Sequence, residues 1–435
     1  MTNEPQPPPP PEHYLDRLVA AGDQAGLVTS QPVTDRNGMV LAGPGTAVTA
    51  ELRDRLVRHK LLRPIDESLS SSDPVTIDRL LDRARVLLDS NPLLQRMAQR
   101  VPDSGRLITV IRSVELPEPL QIKLTVAAAN DPARLDHLLM VTLTALAIGL
   151  RRAMPAGELK MLAFAGILHD LGELHIDPAI FESPGDLSVA LRRQVEAHPV
   201  IMHAVLESLG GRYHDAARAI LEHHERIDGS GYPRGRHGDQ LSPMGRILAL
   251  AEFLASLHTR RECSHMLVAL KLQRHHFDPE LVDTAFSLMG QPSAAAAEST
   301  SGTFGELTAR LATLLAVLQE WRALSERSDD LGLAPNHLCW LHDRASTIQH
   351  HFTRLGVHAD DLEGSLEPIA EDAEAIGELT IITAEIQRQV IDTTWEVHRR
   401  VGETTIERLP DAVRDLLTHP IDIGKLSTGR NQQTA

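Results

Sequence analysis

In HHERIDGSGYP, from His223 to Pro233, two adjacent histidines stand directly before an acid, a base and a turn-forming run. One block of the chain gathers five imidazoles and two carboxylates of this kind: His137, His169, Asp170, His198, His223, His224 and Glu252. Neutral imidazole is the commonest metal ligand, and an acidic side chain can bridge two ions. Burying these groups together without a cation would leave desolvated donors and acceptors poorly matched. Their types and spacing therefore point to a divalent metal pair, for which Fe, Mn, Zn or Co are suited. Taken singly, each has a plainer reading. A helical histidine is usually a surface or satisfied core residue, and a carboxylate such as Glu252 is usually solvated or paired. His275 with His276, His350 with His351, and His214, His237, His258 and His265 are given that plainer reading.

Helix ends must carry the ligands. His137 lies early on a helix ending near Arg151, and ELKMLAFAGILHD closes on His169 and Asp170 just before Gly172, a helix stop. His198 precedes Pro199, which favours a first helical turn, so His198 marks a helix junction. His223 and His224 end AARAILEHHE, and Glu252 lies on or beside the apolar face of GRILALAEFLASL.

The 435-residue chain is too long for one ordinary core. With 59 acidic and 43 basic side chains it carries a formal charge of −16, which repels polyphosphate and argues against nucleic-acid polymers as partners. A small anion held at a local cationic centre remains open. Cys263 and Cys339 are the only cysteines, too few for a disulfide framework or a cysteine zinc site. Apolar runs such as Leu138–Leu150 fall short of the roughly 20 residues that span a bilayer. The N-terminus also lacks the basic-then-apolar order of a signal peptide. The expectation is a cytoplasmic protein with no membrane span.

The expected fold class is mainly α, with a small N-terminal α+β module. Residues 1–26, with the run PQPPPPP, read as a disordered proline-rich tail. Residues 27–67 read as the α+β module: Asn37-Gly38 turns a hairpin, Thr49 caps a helix, and Leu52, Leu56 and Val57 form its apolar face. SLSSSDP, Ser68–Pro74, reads as a linker, and 75–129 as a helical connecting region broken by Pro117 and Pro119. Residues 130–290 are helix after helix. A low-complexity linker, Gly290–Thr303, then leads to a C-terminal helical module at 304–425, where Trp321, Trp340 and Trp395 read as core anchors.

Over about 130–290 the chain resembles the HD-GYP family, a branch of the HD-superfamily phosphohydrolases whose members hydrolyse cyclic di-GMP. HDLGELHIDPAIFESPGDL, from His169 to Leu187, looks like that family's HD signature, and HHERIDGSGYP matches its second signature without a gap. EAHPVIMHAVLESLGG, GRILALAEFLASLHTRRE and FDPELVDTAF add to the likeness. The resemblance implies an all-helical HD-type catalytic domain at 130–290 with two divalent transition-metal ions, iron or manganese. Carried over residue by residue, His137, His169, Asp170, His198, His223, His224 and Glu252 would be ligands, with Asp170 bridging and His169 and Asp170 catalytic. The glycines of DGSGYP would let the loop bring Tyr232 to the mouth of the site, where Gly231, Tyr232, Pro233, Arg261 and the position of Glu173 meet substrate. Water activated by the ions would attack in line and expel the ribose 3′-oxygen, giving linear pGpG and, in some members, GMP. Signalling proteins at the GYP loop and a homodimer are the further partners implied.

Several positions depart from the family pattern. Glu173 replaces a lysine that touches substrate phosphate, so Glu173→Lys is expected to tighten binding or raise turnover. Glu252 replaces an aspartate, and Ala255 a second one. Ala133 replaces a glutamate that helps hold a third ion in some members, which favours two ions here. Arg261 matches a phosphate-contacting arginine, with Arg226, Arg234 and Arg260 as nearby candidates to compensate for Glu173. The ion cage is kept while the substrate contacts are thinned. Two readings follow: an active cyclic di-GMP phosphodiesterase, or a catalytically weakened member serving as a cyclic-dinucleotide-binding or protein-interaction module.

Overall fold

The computed structural model describes residues 12–182, 189–258, 263–290, 303–325 and 333–418. Contacts divide the chain into two compact units, Met1–Arg261 with Arg274–Gln291, and Glu262–Gln273 with Pro292–Ala435.

In the first unit, α1 (Glu12–Ala25) buries Tyr14, Leu15, Leu18 and Ala21. These apolar residues recur every three or four positions, so a helix begins inside what reads as tail. The expected 1–26 tail is corrected to that extent, and residues 1–11 lie outside the described part. Strand β1 (Leu27–Thr29) pairs with β4 (Leu69–Ser71) antiparallel, while β2 (Val33–Thr34) pairs with β3 (Val40–Ala42) across the turn at Gly38. The serine-rich stretch after residue 67 is therefore a strand at its start, because pairing with β1 outweighs its weak local preference. Helix α2 (Ala50–Val57) starts at Thr49, whose side chain accepts from the Leu52 amide. Leu52 and Leu56 are buried, but Val57 is exposed and leaves the expected face.

Helices α3 (Ile77–Ser90), α4 (Pro92–Ala98), α5 (Gly105–Arg112) and α6 (Glu118–Asn130) are more than a connector. They pack on α7 (Ala133–Arg151) and α8 (Ala156–Leu168), and α4 also meets α15 (Pro279–Met289). A 3-10 turn, Leu171–His175, follows α8, then come α9 (Ala179–Glu182), α10 (Val189–Val195), α11 (His198–Ser208), α12 (His214–Glu222) and α13 (Pro243–His258). Helix α7 lies against α3, α8 and α13. It is long and apolar enough to cross a membrane by length and composition, yet 78% of that window is buried inside the protein. It is the core helix of this unit.

The second unit claims α14 (Cys263–Gln273), which the expected 130–290 boundary had placed in the catalytic block. Gln273 donates to the buried Glu385 on helix Ala373–Val401. With α16 (Phe304–Ser325) and helix Pro335–Arg354 these elements enclose Trp321, Leu318, Ile348, Phe352 and Ile386. Trp321 is buried and donates to the Leu416 carbonyl, Trp395 is buried too, and Trp340 lies under the Arg400 guanidinium.

Candidate metal centre

Three close helix approaches assemble the site. Gly166 on α8 meets Thr142 on α7 so tightly that a β-carbon would stand 2.9 Å from the Thr142 Cα. That places His169, the residue capping α8, beside His137 on α7, with ring centroids 5.4 Å apart. Gly172 makes a like approach to the His198 backbone. Helix α13 packs on both α7 and α12. The buried Glu222 fixes its start by accepting from the Ser242 amide at 2.7 Å and hydroxyl at 2.6 Å, and Glu252 then reaches the same centre.

The seven expected ligands converge as two sets that share one residue. His137, His169, Asp170 and Glu252 form one set, and Asp170, His198, His223 and His224 the other, with ligand atoms in each within 4.8 Å of one another. Asp170 Oδ2 lies 3.3 Å from both His137 Nε2 and His169 Nε2, whereas Oδ1 lies 3.3 Å from His198 Nε2 and 3.5 Å from His223 Nε2. Glu252 Oε2 stands 3.1 Å from His137 Nε2 and 3.2 Å from His169 Nε2. His169, His198 and His223 are buried, while His137 and His224 are half-buried and mark where the site opens.

Backbone carbonyls orient three of the rings. His169 Nδ1 donates to Gly166 at 2.8 Å, His198 Nδ1 to Val195 at 2.7 Å and His223 Nδ1 to Ile220 at 2.5 Å. A carbonyl only accepts, so each Nδ1 holds a proton and each Nε2 is turned to the centre, where the neutral ring offers a lone pair. His198 Nε2 and His223 Nε2 are 3.1 Å apart. His169 Nε2, Asp170 Oδ1 and Glu252 Oε2 are buried without a hydrogen-bond partner. Acceptors turned on acceptors in a buried centre fit a cation. Separations of 3.1–3.5 Å are also about what adjacent ligands show when each sits about 2.0–2.2 Å from one ion.

The two halves differ in charge. Burial opposes charging of His137 and His169, but the Asp170 and Glu252 carboxylates outweigh it and raise them to about 10 and about 9. In the other half burial dominates, with neighbouring imidazoles adding to it, and His223 falls to about 4 while His224 falls well below its usual range. Against their burial, the facing histidines hold Asp170 and Glu252 well below the carboxylate range.

The GYP loop folds back on its own histidines. A β-carbon on Gly231 would collide with the backbone of residues 224–226, so only glycine lets the loop lie there. The Tyr232 amide donates to the His224 carbonyl at 3.1 Å, and its ring stacks on His224 at 4.6 Å between centroids. The Tyr232–Pro233 peptide is cis. Burial pushes the Tyr232 phenol up, so it stays neutral.

Glu225, passed over in the sequence, accepts from the amides of Arg234 and Arg236 at 2.7 and 3.1 Å and latches this loop. Its position inside HHE could have flagged it. Of the histidine pairs read as inert, His276 is buried and sits 2.9 Å from Asp228, bracing the loop from the other side. Glu173 pairs with Arg134 of α7, a partner the sequence reading did not name. Ala255 is fully buried and Ala133 exposed. Arg226 lies over the Phe277 ring, and Arg234 lines a cavity with His203, His214 and Arg218. Arg260 and Arg261 lie outside the described residues.

With this geometry in place, residues 83–281 match the family described as HD domain. This stretch is similar to HD domains along its whole length. The 3'3'-cGAMP-specific phosphodiesterase 3 of Vibrio cholerae is 35% identical over 31% of this chain and 29% of its own. The cyclic di-GMP phosphodiesterase response regulator RpfG of Xanthomonas campestris is 32% identical over 35% and 41%. A cyclic di-GMP phosphodiesterase of Pseudomonas aeruginosa is 26% identical over 40% and 44%. The chain thus spans less than half the length of these relatives.

Proposed function

We propose that this chain is a metal-dependent phosphodiesterase that opens a cyclic dinucleotide, with cyclic di-GMP as substrate and linear pGpG, then GMP, as products. The observation that carries this reading is the Asp170 carboxylate, whose two oxygens face two different sets of imidazole nitrogens. Divalent ions held there, iron or manganese and two in number, would supply Lewis-acid charge to phosphate oxygens and acidify a water toward neutrality. The chain's own groups do the rest. Carbonyl-tethered His169, His198 and His223 keep their Nε2 atoms on target without reorganisation. Neutral Tyr232, stacked on His224, stands at the half-buried edge as a hydroxyl donor for the nucleotide. No side-chain nucleophile is required.

The test is direct. Protein purified with Mn or Fe should hold about two ions per chain and convert cyclic di-GMP to pGpG on chromatography, with 3'3'-cGAMP run alongside. Asp170→Ala should lose both metal and turnover. Stoichiometric metal with bound but uncleaved nucleotide would instead establish the catalytically weakened binding module, the reading that Glu173 and the missing carboxylate at Ala255 favour. The same proposal includes a cytoplasmic location, a homodimer and protein partners at the GYP loop, read by cell fractionation, light scattering and co-purification.

A further inference from the structure

Glu173 and Arg134 form a charge pair that none of the ligand chemistry uses. Arg134 stands three residues before His137 on α7, one helical turn away on the same face. Glu173 stands three residues after Asp170, on the 3-10 turn, and its amide donates to the Asp170 carbonyl at 2.9 Å. The two side chains meet directly, with Arg134 also 3.7 Å from Asp131. Arg134 keeps 20% of its side chain exposed and Glu173 14%. The guanidinium is thus held against the 3-10 turn that follows Asp170, on the same helix face as His137 one turn away.

We propose that Arg134 is a substrate-contacting residue that grips a phosphate of the dinucleotide, and that Glu173 is the positioning residue that aims it. This rests on the hydrolase reading for its substrate class. A planar guanidinium presents five donors in a fixed fork, so one edge can be held by a carboxylate while another meets a phosphate. Glu173, which alone would repel an anionic substrate, here serves by orienting the cation. The position on the 3-10 turn has changed sign, and α7 supplies the positive charge.

The experiment compares Arg134→Gln, Glu173→Gln and the double variant, each loaded with Mn, by steady-state kinetics and by calorimetric titration with cyclic di-GMP. Metal content should stay at the wild-type level in all three. Arg134→Gln should raise KM and Kd about tenfold or more, with kcat changed far less. Glu173→Gln should weaken binding too, and the double variant should be no worse than Arg134→Gln alone. A tighter-binding Glu173→Gln, or a double variant restored to wild-type affinity, would mean Arg134 merely neutralises a repulsive acid, and the inference falls. Should the wild type bind without turnover, the hydrolase reading fails while the Kd comparison still decides the role of Arg134. A wild type that binds no cyclic dinucleotide sinks both.

Discussion

Gly172 lies flat against the backbone of His198: a β-carbon there would stand 2.8 Å from the His198 carbonyl carbon and 3.0 Å from its Cα. The turn after Asp170 and the start of α11 are thus held in register by a missing side chain. Gly172→Ala should push α11 away, cost about 1–3 kcal/mol of stability and lower bound metal by displacing His198. Elemental analysis and thermal melting check this, and full metal content at an unchanged Tm would refute the packing argument.

The loop latch is separable from the ligands. Glu225→Gln puts an amide donor against the backbone amides of Arg234 and Arg236, and should cost about 1.5–3 kcal/mol. Limited proteolysis should cut within 229–236 faster than in wild type. Equal cleavage rates would show that the loop is held by its other contacts.

A buried ion pair ties the N-terminal helix to this domain. Lys123 Nζ lies 2.9 Å from Asp66 Oδ2, with both side chains nearly sealed, and the Tyr14 hydroxyl donates to the same carboxylate. Lys123→Met should destabilise by about 3–5 kcal/mol, because Asp66 is left charged and buried. The double change Lys123→Met with Asp66→Asn should recover much of that loss in urea titrations. A double variant as unstable as the single one would place the cost in packing instead.

His175 supplies a pH dependence of known sign. Burial first, then Lys123 and Arg17, lowers it from 6.5 to about 2. The unfolded chain takes up a proton near pH 6.5 that the folded one refuses, so this contribution is intact above pH 6.5 and is lost progressively below it. The slope is at most about 1.4 kcal/mol per pH unit. His175→Phe keeps a ring to stack on Tyr14, which His175 meets at 4.6 Å, and should flatten the fall in urea midpoint between pH 7 and 5. Parallel curves for the two proteins would clear His175 of the effect.

The convergence of most of the candidate ligand residues could be anticipated from the sequence because His169, His198 and His223 sit at helix ends, which capping and proline signals mark well. His169 caps α8, His198 opens α11 and His223 caps α12, as their neighbours suggest. What escaped notice depends on contacts between distant segments. Nothing local says that Glu173 will meet Arg134, 39 positions earlier, or that His276 will brace Asp228 across 48. Strand β4 was missed for the same reason, since a serine-rich run becomes a strand only when β1 is beside it. Helix α1 was obscured differently, its own periodicity masked by the prolines that precede it.

One acid facing two unlike neighbourhoods has a consequence for loading. The side with His137, His169 and Glu252 offers a second formal negative charge, while the side with His198, His223 and His224 is almost wholly aromatic nitrogen. Hard, oxygen-preferring cations would favour the former and borderline ones the latter. The two candidate positions would then differ in which cation they take up first.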